Sequence, residues 1–468
     1  MPCSVVIPCH NGVDLTGPCI RSMLDQRPAP IEIVIVDNAS TDGTADLDQL
    51  DPRVRVIRLS ENRGFAGGIN AGLAAVDKQA DEVLILNNDT IAETNMLAEM
   101  RRALYSPTDV EIGACGPVSN RVKEDARLPV GDLSRDPEER RAIAAALADD
   151  TIVQDVESLS GLCMLMRCST LERVGNFDEL FGLGNFEDDD FSLRLRLLGL
   201  RLVIARRAFL HHEGHQTFHA LGLDMREQIQ LRLTDFDAKW QQHPAGRAVV
   251  AAIHNDLPGA AVAAKAALAV APDWLDAEWH IGRFEEQFGN PHHAIQHLRS
   301  FLTRCPEHVR ALISLGLATL RTGDTDGGLK ILADVTDRHR LSPAAQHHTM
   351  LRLGEIDYDA GKHEQARAHF EAAIAINPDA PNACNGIGLT HLALKDYEAA
   401  ERSFEAAIEH GHALAYTNLG ICQMMRGNHE DALANFERAV VLLPQNQVAR
   451  GNYEAGRIAV ARSTAPAS

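Results

Sequence analysis

The nine cysteines of this 468-residue chain are scattered and include no C-x-x-C pair. That excludes a zinc-ribbon spacing and a disulfide framework, and leaves buried, reduced thiols in a cytoplasmic protein as the expectation. Long apolar runs are missing too. The most apolar stretch, 248–271, is cut by His254, Asn255, Asp256, Pro258 and Lys265, so no membrane span is expected. The opening Met1-Pro2-Cys3-Ser4-Val5-Val6-Ile7-Pro8 has no basic segment ahead of its apolar residues, which argues against a signal peptide. A basic patch is absent, and Lys+Arg 45 against Asp+Glu 65 leaves a net charge of -20. Such a surface repels phosphate backbones and anionic head groups, so neither nucleic acid nor a membrane surface is an expected partner. The G-x-G-x-x-G fingerprint is absent as well. Gly64-Phe65-Ala66-Gly67-Gly68 has a different spacing and follows the third strand, which argues against a dinucleotide site. A glycine-rich helix start whose N–H groups approach a phosphate is the reading that remains.

What is present is a globular composition, 45% hydrophobic and 24% charged, long enough for two to four domains. Up to about residue 210, apolar runs at 4–8, 31–37, 54–59 and 82–87 read as strands. They alternate with helical spacing at 15–25, 44–50 and 67–76. Strand–helix alternation predicts an open, mostly parallel sheet, covered on both faces, with its ligand beyond the carboxyl ends of the strands. Those ends are polar four times in a row: Pro8-Cys9-His10-Asn11, Asp37-Asn38-Ala39-Ser40, Glu61-Asn62-Arg63-Gly64 and Asn87-Asn88-Asp89-Thr90. One polar strand end is turn chemistry; four suggest a rim that binds something.

From about residue 241 strand signals stop and a period of about 34 residues begins, with units starting near Gln241, Leu275, Val309, His347, Pro381 and Ala413. The clearest unit reads Tyr416…Leu419-Gly420…Ala432…Phe436…Ala439…Pro444. These units resemble tetratricopeptide repeats: small residues where two helices approach, proline where the second ends. Four extra residues at 337–342 interrupt the register. The expected layout is 1–240, with an Arg/Asp/Glu-rich insertion at 118–158 holding one polar helix (137–148), then a repeat solenoid at 241–450 and a capping helix and tail at 451–468.

Three constellations carry chemistry. Asp37 closes an apolar strand, either as a carboxylate for a nucleobase or ribose, or as an Asx-turn opening the next helix. Asp89 follows Val83-Leu84-Ile85-Leu86, either holding a divalent cation against a diphosphate or capping the segment after it. Glu187-Asp188-Asp189-Asp190 opens a helix; a cap needs one or two carboxylates, and four crowd unless a ligand compensates. His211, His212, His215 and His219 follow, as metal or phosphate partners or simply as polar residues.

In order, Val5-Val6-Ile7-Pro8-Cys9-His10-Asn11, Val34-Ile35-Val36-Asp37-Asn38-Ala39-Ser40, Asn62-Arg63-Gly64-Phe65-Ala66-Gly67-Gly68-Ile69-Asn70, Leu86-Asn87-Asn88-Asp89 and Glu187-Asp188-Asp189-Asp190 resemble an inverting, rhamnosyltransferase-like glycosyltransferase of family 2 over residues 1–220. The resemblance implies a Rossmann-like GT-A domain ahead of the all-α tetratricopeptide solenoid, and a nucleotide-diphosphate sugar as donor. It implies Asp188 as general base with Glu187 beside it. Pro8, His10, Asn11, Asp37, Asn38, Asn62, Arg63, Gly67, Asn70, Asn87 and Asn88 would lie around the donor. Asp89 would match the last carboxylate of the family's D-x-D, where Asn87 replaces the first, and with His211 or His212 it would hold Mg²⁺ or Mn²⁺. The repeats would present a protein or glycan acceptor, bind a protein partner or pair two copies of the chain. An inactive scaffold and a sugar nucleotidyltransferase are the competing readings. Asn87 favours the first, and the want of a basic glycine-rich loop after strand one weighs against the second.

Overall fold

A computed structural model describes residues 1–122, 126–128, 134–214, 224–339 and 341–463. The chain divides into two compact units, Met1–Ser342 and Pro343–Ser468.

The first unit is built on one mixed sheet. Its strands are β1 (Cys3–Cys9), β2 (Glu32–Asp37), β3 (Val54–Arg58), β4 (Glu82–Leu86), β5 (Thr90–Ala92), β6 (Ile112–Ser119), β7 (Val153–Val156), β8 (Cys163–Arg167) and β9 (Arg201–His212). They run in the order β3-β2-β1-β4-β8-β6-β9-β5, with β7 against β9. The first four strands form a parallel half, as their spacing by helices requires. Beyond β4 the order reverses: β8 is antiparallel to both β4 and β6, and β5 and β7 are antiparallel to β9. The sheet is therefore parallel in one half and mixed in the other, because the chain returns to its middle through β8. Val5 and Ile7 face one apolar layer and Val6 the other, so both faces of β1 are covered.

The helices on this sheet are α1 (Val13–Leu24), α2 (Gly64–Leu73), α3 (Met96–Leu104), α4 (Pro137–Ala146), α5 (Cys168–Val174) and α6 (Glu187–Leu197). Gly64 opens α2 at φ +72, and a methyl group there would stand 1.9 Å from the carbonyl oxygen of Gly182. Only glycine fits this contact. The stretch 118–158 is less of an excursion than its composition suggests. It holds α4, capped by Asp136, and rejoins the sheet as β7, whose Gln154 and Val156 are buried.

The helical part of this unit starts with α7 (Met225–Trp240) and continues as three antiparallel pairs: α8 (Pro244–Ile253) with α9 (Leu257–Ala267), α10 (Ala277–Phe288) with α11 (Pro291–Arg304), and α12 (Val309–Arg321) with α13 (Thr325–Arg338). These helices share buried polar contacts with the sheet domain. Arg196 of α6 donates from Nε to Asp276 Oδ1 and Oδ2 at 3.0 and 3.1 Å, and from Nη1 to Cys305 Sγ at 3.5 Å. Asp155 of β7 accepts from Glu307 N–H at 2.9 Å, and Glu157 meets Arg310 at 2.5 Å.

The second unit has three further pairs: α14 (Pro343–Asp359) with α15 (His363–Ile376), α16 (Pro381–Ala393) with α17 (Tyr397–Glu409), and α18 (Ala415–Arg426) with α19 (His429–Leu442). Helix α20 (Gln447–Ser463) follows them. Phe370, Phe404 and Phe436 each lie over a glycine, at Gly354, Gly388 and Gly420, where a Cβ would stand 2.6–2.7 Å from the ring. Among the described residues, no helix is long and apolar enough to cross a membrane.

Candidate active site

A cavity of about 680 Å3 opens beyond the carboxyl ends of β1 to β4. Pro8 and His10 from β1's end, Asn38 from β2's, Asn62 from β3's and Asn87, Asn88 and Asp89 from β4's all line it, facing Glu187, Asp188 and Asp189 at the start of α6. His212 completes the same wall. Four consecutive strand ends thus meet around one hollow, as a sheet of this topology requires.

Local hydrogen bonds set each side chain. His10 Nδ1 lies 2.7 Å from the carbonyl oxygen of Asn38. Asn38 in turn donates from Nδ2 to Gly64 O at 3.1 Å, and Asn62 Oδ1 accepts the Gly64 N–H at 2.9 Å, which fixes the start of α2. Asn88 Nδ2 donates to Thr16 Oγ1 at 2.9 Å. Asp188 is held from two sides. Its Oδ2 accepts the Gly161 N–H and its Oδ1 the Asp189 N–H, both at 2.9 Å.

The four acidic residues that open α6 separate. Glu187, Asp188 and Asp189 line the cavity, whereas Asp190 turns inward to Arg194 Nε at 2.9 Å, Lys239 Nζ at 2.5 Å and Trp240 Nε1 at 3.0 Å. The crowding anticipated from the sequence is relieved because one carboxylate serves the junction with α7.

The Asp89 end suits a cation. Asp89 Oδ1 and Asn87 Oδ1 are buried without a hydrogen-bond partner, two acceptors that a hard cation or a donor would satisfy. His212 Nδ1 is 2.7 Å from the carbonyl oxygen of Arg121, and its Nε2 lies 3.3 Å from Asp89 Oδ2. Burial opposes charge on this imidazole, but the hydrogen bond to Asp89 and its charge outweigh burial and raise its pKa.

Several residues marked by the sequence stand elsewhere. Asp37 is fully buried behind the cavity wall: its Oδ1 accepts the Ser40 N–H at 2.7 Å, and Arg58 Nε lies 3.7 Å from its Oδ2. Asp89 and Asp188 therefore share the hollow and Asp37 does not. Asn11 Oδ1 accepts the Thr41 N–H at 2.9 Å and braces that loop. Arg63 pairs with Glu179 at 2.8 Å, Asn70 donates to Phe177 O at 2.9 Å, and Gly67 lies against Arg63 and Glu179, so these three secure the 177–179 segment. His211 points to the opposite face of β9 from His212 and meets Ser134 Oγ at 2.7 Å. Strand alternation forces that separation. His215 and His219 lie outside the described residues.

Other liners carry no motif. Gly161, which holds Asp188, is one; Arg121 and Arg127 are two more, from the stretch expected to be a solvated insertion. Their signal was a fifth polar strand end, Ser119-Asn120-Arg121, hidden because β6 contains Gly113, Gly116 and Pro117.

The family model described as Glycosyl transferase family 2 matches residues 4–175. The chain carries a family 2 glycosyl transferase domain. The tetratricopeptide repeat model matches 314–381, 351–409 and 385–447, so the helical pairs within 314–447 are tetratricopeptide repeats. Among curated relatives, the succinoglycan biosynthesis protein ExoO of Rhizobium meliloti is 35% identical over 20% of this chain and 27% of its own length. Glycosyltransferase GlyG of Streptococcus pneumoniae is 30% identical over 24% of this chain and 38% of its own. The N-acetylglucosaminyl-diphospho-decaprenol L-rhamnosyltransferase of Mycobacterium tuberculosis is 26% identical over 40% and 68%. The chain thus spans about a third of the first relatives it matches, and what it shares with them is the family 2 glycosyl transferase domain.

Proposed function

We propose that the chain transfers a sugar from a nucleotide diphosphate to an acceptor hydroxyl with inversion at the anomeric carbon. The observation that carries this reading is the single cavity in which Asp188 faces the strand-end residues His10, Asn38, Asn62 and Asp89.

A hydroxyl is a weak nucleophile near neutral pH, so its proton has to leave as it attacks. Asp188, oriented by two backbone N–H groups, accepts that proton on a carboxylate oxygen while the acceptor oxygen bonds to the anomeric carbon. The bond to the diphosphate breaks on the opposite side of the sugar, which gives inversion without a covalent enzyme intermediate. Negative charge grows on the leaving diphosphate, and Arg121 and Arg127, which line the same cavity, supply positive charge against it. Asp89, Asn87 and His212 are the residues that would hold Mg²⁺ or Mn²⁺, which supplies positive charge to the diphosphate. The repeats serve acceptor recognition. All nine cysteines are free and eight are buried, which supports a reducing, cytoplasmic setting.

The test is release of free nucleoside diphosphate from a panel of nucleotide sugars with Mg²⁺ or Mn²⁺. Asp188→Asn is expected to keep nucleotide affinity and lose ~10²–10⁴ in turnover. Undiminished turnover in that variant would remove Asp188 from the reaction, and release of pyrophosphate would replace transfer by nucleotidyl exchange.

A further inference from the structure

A second, inner cavity of about 290 Å3 adjoins the first. The two share Val122, Ser160, Leu162 and Asp189 in their walls, so the inner one opens beside the acidic residues of α6. Its far side belongs to the first helical repeats: Ile253 of α8, Trp279, His280 and Arg283 of α10, and Arg310 of α12. Within this one compact unit the repeats therefore form part of a hollow that reaches Asp189, the neighbour in sequence of the candidate base.

The charged walls of this hollow are Glu157, Asp189, Asp276, Arg283 and Arg310, and not all of them meet a direct partner of opposite sign. Arg310 is paired with Glu157 at 2.5 Å, and Asp276 is taken by Arg196. Arg283 makes no hydrogen bond or ion pair among the described residues; its guanidinium stands 6.0 Å from the Trp279 ring. Desolvation first, and then the charge of Arg310, lower its pKa and outweigh the nearby Glu157 and Glu286 carboxylates, so a further anion in direct contact would stabilise its charged form. His280 is 6% exposed, and its Nδ1 has no hydrogen-bond partner. The remaining walls are mostly apolar, with Val156, Leu159, Leu193 and Val249 among them.

Resting on the transferase reading above, we propose that this inner cavity is the acceptor side of the site and receives a polypeptide segment bearing an apolar side chain next to a carboxylate, which Arg283 binds. The volume suits one or two side chains. A saccharide here would leave hydroxyls unpaired against the apolar walls, which is unfavourable for each group left without a partner. An aliphatic side chain gains from the same surface, and the carboxylate supplies Arg283 with the partner it lacks.

The probe is 1-anilinonaphthalene-8-sulfonate, an apolar ring system with one anionic group, titrated into the full chain. Saturable binding is expected, lost when Ala252→Phe fills the cavity. Acetyl-Leu-Asp-amide should displace the dye at least about ten-fold better than acetyl-Leu-Asn-amide, since a charged hydrogen bond contributes about 1.5–3 kcal/mol. Arg283→Gln, checked by its melting transition to be folded, should abolish that preference. Absence of saturable binding, dye binding indifferent to Ala252→Phe, equal displacement by the two peptides, or a preference surviving Arg283→Gln would each overturn the proposal. Displacement by glucuronic acid and not by the peptides would overturn it in favour of a glycan. Nucleoside diphosphate affinity of the unaltered chain, measured in parallel, reports on the transferase reading alone.

Discussion

Replacing Asp276 tests how firmly the first helical pairs are joined to α6, the helix that carries Asp188. Arg196 has no exposed surface and Asp276 is 3% exposed, so the pair is dry. Desolvation pushes the guanidinium towards neutrality, but the adjoining Asp276 more than offsets it and the Arg196 pKa is raised. Arginine does not give up its proton inside a protein, so Asp276→Ala strands a buried charge. Removing one member of such a pair costs about 3–5 kcal/mol, against about 5–15 kcal/mol for a whole domain. Cys305 Sγ at 3.5 Å is too weak an acceptor to compensate. The assay is urea unfolding followed by tryptophan fluorescence. Trp240, Trp274 and Trp279 are the chain's three tryptophans and all lie in the unit Met1–Ser342, so the signal reads that unit alone. Asp276→Asn should behave almost as badly as Asp276→Ala. Arg196→Met with Asp276→Leu should recover most of the loss, because two apolar groups leave nothing stranded. A single Asp276→Ala change within about 1 kcal/mol of the parent would refute the reasoning.

Three further outcomes are expected. Asp89→Asn should weaken the stimulation of nucleoside diphosphate binding by Mn²⁺ by at least the ~10–100-fold that lost support costs at a metal site, measured by calorimetry with and without the ion. His280, buried and held neutral with its pKa pushed down to about 4, takes up no proton in the folded state where the unfolded chain does. Stability from this group is complete above its ordinary value near 6.5 and falls as pH drops towards 4, by about 3 kcal/mol, and His280→Phe should flatten that part of the urea-midpoint profile. Gly64→Ala should cost about 1–3 kcal/mol from its left-handed backbone alone, before the clash with Gly182 O, and should raise the donor KM because the 182–186 segment walls the cavity.

Much of the rim was legible because short apolar runs ending in Asn, Asp and Gly say both that a strand stops and where it stops. The helical repeats were equally plain, since glycine and alanine at close approaches recur every turn of the period. What the pattern cannot say is which of two neighbouring polar residues faces the ligand. Asp37 and Asn38 are adjacent, and only Asn38 reaches the cavity; His211 and His212 divide the same way. A strand turns successive side chains to opposite faces, so the answer depends on a register that the sequence leaves open. The mixed half of the sheet was hidden for another reason. Pairings such as β4 with β8 join residues about 80 apart in the chain, beyond the reach of any local pattern. The contacts of Arg196 with Asp276 and Cys305 belong to the same class.

Anyone wishing to give this chain a different set of repeats would be drawn to cut at Trp240, where the composition changes. A graft there would discard Asp276, Glu307 and Arg310, would turn Arg196 and Glu157 into orphans of the host, and would leave Asp155 with Arg201 alone. The seam to use lies a hundred residues later, between Ser342 and Pro343. A chimaera joined at that point keeps three helical pairs as native upholstery of the sheet domain and exchanges only the three described pairs that follow.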